Sequence, residues 1–214
     1  ILNLYKVAGE NIEGAIISSV VPQITDTVAR ALRMFAGVEP LKLAQELPTG
    51  VGVNIDTPSE LGADLLAGAI AAKALYPLPA ILIIIDMGTA TTITAIDKTG
   101  TYVGGCISPG PKISAEALSA RTAQLPAISL DSPKKAIGKN TVESMQSGVV
   151  FGAASMLDGM VERFEAELGP AKTLVATGGA AGIVVPHCRH SVQYVPTLIL
   201  DGLYAVYCRT HAAL

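Results

Sequence analysis

Short apolar runs and helical repeats alternate along this chain, and the alternation predicts a mixed α/β protein. Runs of a few apolar or β-branched residues, bounded by glycine, proline or polar turn residues, are typical of buried strands. Such runs occupy residues 14–21, 41–44, 81–85, 91–97, 101–107, 173–176 and 192–195. Apolar residues spaced by three and four positions predict helices between the strands. These helices cover residues 25–35, 57–75, 114–125, 141–168 and 203–209.

The order of the elements indicates the fold. After residue 80, three strands follow one another closely, with a hairpin turn at 97–100, and helices and strands then alternate. An antiparallel β-meander followed by αβαβα is the plan of the ribonuclease-H-like fold, which actin-like kinases use twice. We therefore predict an α/β protein with a complete second actin-like domain at 80–214. A partial first domain at 1–79 lacks the opening β-meander.

Composition narrows the function classes. Half of the 214 residues are apolar, only 15% are charged and the net charge is -3. Without a basic run, nucleic-acid binding has little electrostatic support. The low charge and positive mean hydropathy favour a surface buried against another copy of the chain. Three scattered cysteines do not make a disulfide framework, so we expect a cytoplasmic protein. The apolar stretch at 65–85 is interrupted by Lys73, Pro77 and Pro79 and divides into a helix, a turn and a strand, so we expect no membrane partner.

The strongest chemical motif is Asp-Met-Gly-Thr-Ala-Thr-Thr at 86–92, directly after an apolar strand. Gly88 would let the backbone approach a phosphate, and the hydroxyl of Thr89 could donate to it. Asp86 cannot bind phosphate itself, because both groups are anionic, but it could hold a cation that bridges to the phosphate. The alternative is a tight hairpin whose polar side chains only satisfy the turn.

Three further features could belong to a functional site, but each also has an ordinary structural explanation or lacks part of the expected pattern. Asp64 lies near the start of a predicted helix and could accept the proton of an attacking hydroxyl, or it could be an ordinary first-turn acid. Gly178 and Gly179 follow a strand and could let a flat ligand such as adenine lie on the backbone, or form a simple turn. The His-Cys-Arg-His segment at 187–190 lacks recognisable zinc spacing.

Taken together, the motifs resemble those of the type III pantothenate kinases, in the family's order and over nearly the whole chain. The matching segments are Ile-Ser-Ser-Val-Val-Pro at 17–22, Gly-Ala-Asp at 62–64, Asp-x-Gly-Thr-Ala-Thr-Thr at 86–92, Gly-Gly-Cys-Ile-Ser-Pro-Gly at 104–110, Ser-Ala-Glu-Ala-Leu at 114–118, Ile-Gly-Lys-Asn-Thr at 137–141, Ser-Gly at 147–148 and Thr-Gly-Gly at 177–179. The resemblance implies a homodimer that uses ATP and a monovalent cation, potassium or ammonium, with magnesium as a further candidate ion. The implied reaction is phosphorylation of pantothenate, the first step of coenzyme A biosynthesis.

The resemblance also implies roles for individual residues. Asp64 would be the proton acceptor, and Asp86 would hold the cation. Pantothenate would be bound by Gly62, Ala63, Leu65 and, at the dimer interface, Thr141. ATP would be bound by Gly88, Thr89, Gly178 and Gly179.

The chain departs from the family pattern in three places. The family has an arginine where this chain has Leu65, and usually a tyrosine where it has Ile55. An aliphatic side chain cannot replace a bidentate guanidinium as a partner for carboxylate. The family's Asp-x-Gly-Asn-Thr phosphate loop also has no match in the sequence. Two alternatives to pantothenate phosphorylation follow: a non-catalytic paralogue that acts as a binding or regulatory scaffold, or an actin-like kinase for another small alcohol.

Overall fold

In the computed structural model, residues 7–19, 21–44 and 46–212 are described. The elements, in chain order, are β1 (Ile16–Ile17), α1 (Pro22–Ala36), β2 (Leu41–Lys42), β3 (Gly52–Val53), α2 (Ala63–Leu75), β4 (Leu82–Met87), β5 (Ala90–Ile96), β6 (Thr101–Pro109), α3 (Pro111–Arg121), α4 (Thr141–Leu168), β7 (Thr173–Thr177), α5 (Ala181–Val184), β8 (Gln193–Tyr194) and α6 (Leu198–Ala212). Short 3-10 turns lie at Gly9–Asn11, Pro58–Glu60 and Val185–His187.

The chain divides into two compact units. Described residues of Ile1–Val51, Asp56–Leu75 and Leu198–Leu214 form the first unit. Gly52–Ile55 and Tyr76–Thr197 form the second. The closing helix α6 thus lies with the first unit, whereas the sequence placed it in a second domain starting at residue 80.

A six-stranded sheet with the order β3-β6-β5-β4-β7-β8 forms the second unit. Strands β4, β5 and β6 are an antiparallel meander, β7 pairs in parallel with β4, and β8 pairs in parallel with β7. This topology confirms the predicted ribonuclease-H-like plan. The hairpin predicted at 97–100 is also confirmed, since Gly100 N–H donates to Asp97 O at 3.0 Å.

Strand β4 lies inside the sheet, between β5 and β7, and this position explains its apolar sequence. Its residues Leu82 to Ile85 are all buried, because strands flank it on both sides. On one face, Ile83 and Ile85 belong to a core cluster with Val150 and Leu157 of α4. The apolar run that predicted a strand is therefore the centre of the core.

The long helix α4 has the predicted bounds, and its start is defined by capping. Asn140 Oδ1 accepts a hydrogen bond from Glu143 N–H at 2.9 Å, and Glu143 Oε2 accepts one from Lys139 N–H at 2.9 Å. This pair resembles a capping box, which satisfies backbone donors at a helix start. Gly169, with φ 96°, ends the helix.

In the first unit, β1 pairs in parallel with β2, and helix α2 packs against α6. The two helices approach so closely that a Cβ on Gly202 would lie 2.0 Å from Ala67 O. Alanine and glycine fill much of α2, including the buried Ala67 and Gly68. The small residues permit this backbone-to-backbone contact. Within the described residues, no antiparallel meander precedes β1.

Several element predictions were wrong in extent. The helix predicted at 57–75 is two elements, because Leu61 is extended (φ -63°, ψ 115°) and separates the 3-10 turn from α2. The strand predicted at 14–21 covers only Ile16–Ile17, and Val20 lies outside the described residues. Strand β3 and helix α5 are too short, at two and four residues, for sequence periodicity to detect.

Helix α1 confirms the helix predicted at 25–35, but the apolar residues whose spacing predicted it are not the buried ones. Val28, Leu32 and Phe35 have helical spacing, yet Val28 and Phe35 are exposed. Thr25 and Ala29 are buried instead. No helix in the described ranges is long and apolar enough to cross a membrane.

Candidate active site

The predicted phosphate motif lies at the carboxyl end of the central strand. Asp86 is the second-last residue of β4, opposite Thr92 on β5 and Thr177 on β7. Gly88 and Thr89 form the exposed turn into β5. In α/β sheets, ligands bind outside the carboxyl ends of parallel strands, and β4 and β7 are such a pair.

Gly178 follows β7 and reaches the same place. Its φ is +92°, and a Cβ there would lie 2.6 Å from Asp86 Oδ1 and 2.6 Å from Met87 C. Both the backbone conformation and the space therefore require glycine. Ala180 N–H donates a hydrogen bond to Met87 O at 3.2 Å, which links the segment after β7 to the end of β4. The structure thus brings Asp86 and Gly178 into contact, two residues that are distant in sequence.

Gly179 has a different environment from Gly178. A Cβ on Gly179 would have no neighbouring atom within 4 Å, so this residue borders open space. It lies two residues before α5 and lines the cavity described below. A ligand could therefore approach the backbone here without obstruction.

Gly110, at the start of α3, contacts the Gly88–Thr89 turn directly. Gly110 N–H donates to Thr89 O at 3.1 Å. A Cβ on Gly110 would lie 2.4 Å from Gly88 O, so glycine permits this close contact. Next to the turn, Thr91 Oγ1 is buried and has no hydrogen-bond partner among the described residues.

These elements enclose a cavity of ≈ 400 Å³. Its described lining is Met87, Gly88, Thr89, Lys112, Ile113, Glu116, Leu130, Gly179, Ala180 and Ile183. The volume falls within the range of small-molecule sites, about 300–1,000 Å³. The lining combines glycines and a threonine with aliphatic residues such as Leu130 and Ile183. This combination fits a nucleotide, which has a polyphosphate and a flat base.

The half-buried carboxylate of Asp86 fits a cation that takes oxygen ligands. Gly178 keeps the space beside that carboxylate free of a side chain. In the described part of the chain, no group of three or more His, Cys, Asp or Glu residues is arranged so that it could hold a metal ion. Asp86 would thus have to be supplemented by neutral oxygens, such as backbone carbonyls or water.

The predicted proton acceptor lies in the first unit. Asp64 is exposed and lies in the first turn of α2, because the helix begins at Ala63 and not near residue 57 as predicted. Its Oδ1 accepts a hydrogen bond from Leu65 N–H at 2.9 Å. A Cβ on Gly62 would lie 2.6 Å from that oxygen, so glycine makes room for this carboxylate orientation. Ala63 is the first residue of the helix.

Thr141 begins α4 in the second unit, outside the cavity that contains Thr89. It lines a separate depression of ≈ 540 Å³ between α3 and the start of α4. Its neighbours there include Leu118, Leu125 and Ser144. Within the second unit, the predicted site residues therefore lie in two places.

The His-Cys-Arg-His segment has structural contacts. Asp158 of α4 accepts hydrogen bonds from the backbone N–H groups of Arg189 and His190, and His190 Nδ1 lies 2.7 Å from its Oδ1. Burial raises the pKa of Asp158, but these hydrogen bonds outweigh burial and leave its pKa below the ordinary value. His187 Nε2 lies 2.8 Å from Ser132 Oγ. Burial, and then the charge of Asp158, raises the pKa of Cys188 to about 11.

Sequence reasoning missed Lys112, Glu116, Leu130 and Ile183 of the cavity lining. Lys112 could have been predicted as a site residue, because Gly110 and Pro111 mark the start of a helix directly after a strand, and Lys112 follows them. Leu130 and Ile183 reach the cavity from a loop and a short helix that carry no local signal.

The sheet order is that of the actin-like fold, and the glycine contacts at its carboxyl end and the cavity are suited to a nucleotide phosphate. The family model described as type III pantothenate kinase matches residues 1–163. The chain belongs to the type III pantothenate kinase family.

Individual relatives agree with this assignment. The type III pantothenate kinase of Moorella thermoacetica is 40% identical over 200 residues, which are 94% of this chain and 78% of the relative. That of Roseiflexus sp. (strain RS-1) is 42% identical over 208 residues, which are 96% of this chain and 81% of the relative.

Solved structures support the fold alone. A conserved Baf family transcriptional activator from Campylobacter jejuni superposes with a TM-score of 0.60 at 20% identity, covering 100% of this chain and 89% of the other. The Alp12 filament structure gives a TM-score of 0.51 at 12% identity, covering 69% of this chain and 52% of the other.

Proposed function

We propose that this chain is a type III pantothenate kinase, which transfers the γ-phosphate of ATP to the hydroxyl of pantothenate in the first step of coenzyme A biosynthesis. Family membership supports this function. The structural observation that carries it is the Asp86–Gly178 contact beside the Gly88–Thr89 turn. That contact places a carboxylate, bare backbone and a hydroxyl at one strand end, as binding of a metal-associated phosphate requires.

In the second unit, the ATP phosphates are assigned to the backbone and hydroxyl of Gly88 and Thr89. Gly178 and Gly179 leave room for the rest of the nucleotide. Asp86 is assigned to a monovalent cation, potassium or ammonium, and magnesium is a further candidate. A cation bound here neutralises charge on the phosphates.

In the first unit, Asp64 is assigned as the general base. Its Oδ1 is already held by Leu65 N–H, so we assign the proton transfer to Oδ2. The substrate oxygen loses its proton to this carboxylate and forms a bond to the γ-phosphorus, while the bond from that phosphorus to ADP breaks. Gly62, Ala63 and Leu65 are assigned to pantothenate binding.

We further propose a cytoplasmic homodimer in which Thr141 binds pantothenate near the interface. Two apolar side chains of the second unit support a surface covered by a second copy, since Ile107 is 73% and Ile137 is 80% exposed. Ile137 lies just before α4, close in sequence to Thr141. The three cysteines are free thiols, which suits a reducing compartment.

The decisive experiment measures ADP release with pantothenate, with and without potassium, alongside ATP binding by calorimetry. Asp64→Asn should lower kcat by about 10²–10⁴-fold, the usual contribution of a general base, and leave ATP binding intact. Glu60→Gln, an exposed acid in the preceding 3-10 turn, is the matched control and should keep full activity. An active Asp64→Asn would refute the assigned base. A wild-type chain that neither binds ATP nor releases ADP would refute the kinase.

Leu65 favours a second candidate function, phosphorylation of a small alcohol without a carboxylate. Restoring a guanidinium with Leu65→Arg should improve the pantothenate KM by about tenfold or more, because charged hydrogen bonds contribute roughly 1.5–3 kcal/mol. Turnover of pantothenyl alcohol by the wild type, with pantothenate accepted only after the substitution, would support the neutral substrate. Strong wild-type turnover of pantothenate would exclude it.

A further inference from the structure

Lys112 occupies a position in the candidate nucleotide cavity that none of the predicted roles uses. It is the second residue of α3 and lines the same cavity as Gly88, Thr89 and Gly179. The hydrogen bond from Gly110 N–H to Thr89 O fixes the first turn of α3 against the turn assigned to phosphate. Lys112 is therefore anchored two residues from a direct contact with that turn.

This lysine is in an unfavourable place for the helix itself. The positive end of the helix dipole lies at the first turn, where a cation is disfavoured and an anion is favoured. The first turn of α3 contains no acidic residue, and no described side chain caps it. A lysine here costs helix stability unless another interaction offsets that cost.

Among the described residues, Lys112 forms one ion pair, and that pair does not provide the offset. Its Nζ lies 4.0 Å from Glu116 Oε1, and the two side chains are 78% and 63% exposed. Exposed pairs of this kind contribute little, and the order lysine-then-glutamate at i, i+4 is the weaker one. The position thus breaks a local rule without a structural gain, which is typical of functional residues.

We propose that Lys112 is a phosphate-binding residue of the nucleotide site. Its ammonium leaves Glu116 and contacts the polyphosphate of the nucleotide held by the Gly88–Thr89 turn. The bound anion then also complements the first turn of α3, so the lysine no longer conflicts with its helix. This inference rests on the proposed function, because it takes ATP as the ligand of the cavity.

The test compares ATP, ADP and adenosine as ligands in calorimetric titrations of the whole chain. Lys112→Gln should weaken ATP binding by about tenfold, equivalent to ~1.4 kcal/mol, and weaken ADP binding in the same direction. Adenosine binding should stay unchanged, because adenosine carries no phosphate. Unchanged adenosine binding also shows that the cavity of the variant is folded.

Three further variants separate a specific contact from general charge. Lys112→Arg should retain most of the ATP affinity, since it keeps the charge. Glu116→Gln should tighten ATP binding severalfold, because it removes a competing carboxylate from the cavity. Lys98→Gln, an exposed lysine in the turn at the opposite end of β5, is the matched control and should bind ATP like the wild type.

The outcomes distinguish this inference from the proposed function. If the wild type binds ATP and Lys112→Gln binds it equally well, the role of Lys112 is refuted and the kinase assignment stands. An equal loss in Lys98→Gln and Lys112→Gln would also refute it, because net charge would then explain the effect. A wild type that binds none of the three ligands would refute both.

Discussion

The two adjacent glycines after β7 allow a sharp test of the site geometry. Replacing Gly178 by alanine puts a methyl group 2.6 Å from Asp86 Oδ1 and 2.6 and 2.7 Å from the backbone C and N of Met87. Backbone atoms of a central strand cannot move aside as the end of a flexible side chain can. The same alanine would also have to adopt a φ of +92°.

Both effects can be given a magnitude. A side chain held in a disfavoured backbone conformation costs about 1–3 kcal/mol. Forcing an extra methyl into a filled space costs about another 1–3 kcal/mol. A combined loss of about 4 kcal/mol would lower Tm by about 8–16 °C in a chain of this size. It would also displace Asp86 and so weaken ATP binding.

Gly179→Ala is the matched control for stability. Its methyl group would meet no atom within 4 Å, so we expect its stability to stay within about 0.5 kcal/mol of the wild type. Because Gly179 lines the cavity, however, we expect the added methyl to reduce the room for nucleotide and to weaken its binding. Thermal denaturation and ATP titration of both variants would thus give opposite patterns: Gly178→Ala loses stability, and Gly179→Ala loses only ligand affinity.

The geometry described for Gly178 is wrong if Gly178→Ala melts within about 3 °C of the wild type, which corresponds to roughly 1 kcal/mol. It is equally wrong if the two alanine variants lose the same stability. Either result would mean that the ends of β4 and β7 are farther apart than the structure places them.

Three other variants or measurements test the second unit. Asn140→Ala removes the cap of α4 and should cost about 1 kcal/mol of unfolding free energy in urea titrations, whereas Asn140→Ser should restore most of it. Asp158→Asn should cost about 1–3 kcal/mol, because it removes the buried charged acceptor of the Arg189 and His190 backbone N–H groups. The pKa of Asp158 is lowered by folding, so in the wild type its contribution is complete above the ordinary carboxyl pKa and is lost as pH falls through the lowered one. A urea midpoint in Asp158→Asn that depends on acidic pH as the wild type does would contradict this assignment. With a pKa of about 11, Cys188 should be alkylated far more slowly at pH 8 than the exposed Cys208, as peptide mass spectrometry can show; equal rates would contradict its burial.

The sequence predicted the second unit better than the first, for a physical reason. Strands β4 and β5 are rich in apolar and β-branched residues, and they pair with each other across a short turn. The residues that cap the start of α4 are also close to one another in sequence. Helix α1 was predicted, but the face that a helix buries depends on what packs against it, and the positions of Val28 and Phe35 did not identify that face.

The same distinction holds for the candidate site. Asp86, Gly88 and Thr89 form one contiguous motif, so their proximity could be predicted from the chain alone. Their contact with Gly178 depends on the parallel pairing of β4 with β7, which only the tertiary fold provides. Leu130 and Ile183 reach the cavity through irregular segments. No periodicity in the sequence indicates which way those segments turn.

The packing of α6 on α2 has a consequence for how the chain is made. Helix α2 precedes the segment 76–197 and α6 follows it, so during translation the buried alanine-rich surface of α2 emerges well before the helix that covers it. The second unit, by contrast, can complete its sheet once residues up to 197 have emerged. We therefore expect vectorial folding to finish the second unit first. The nascent α2 is then the segment that is most exposed to non-native association or chaperone capture.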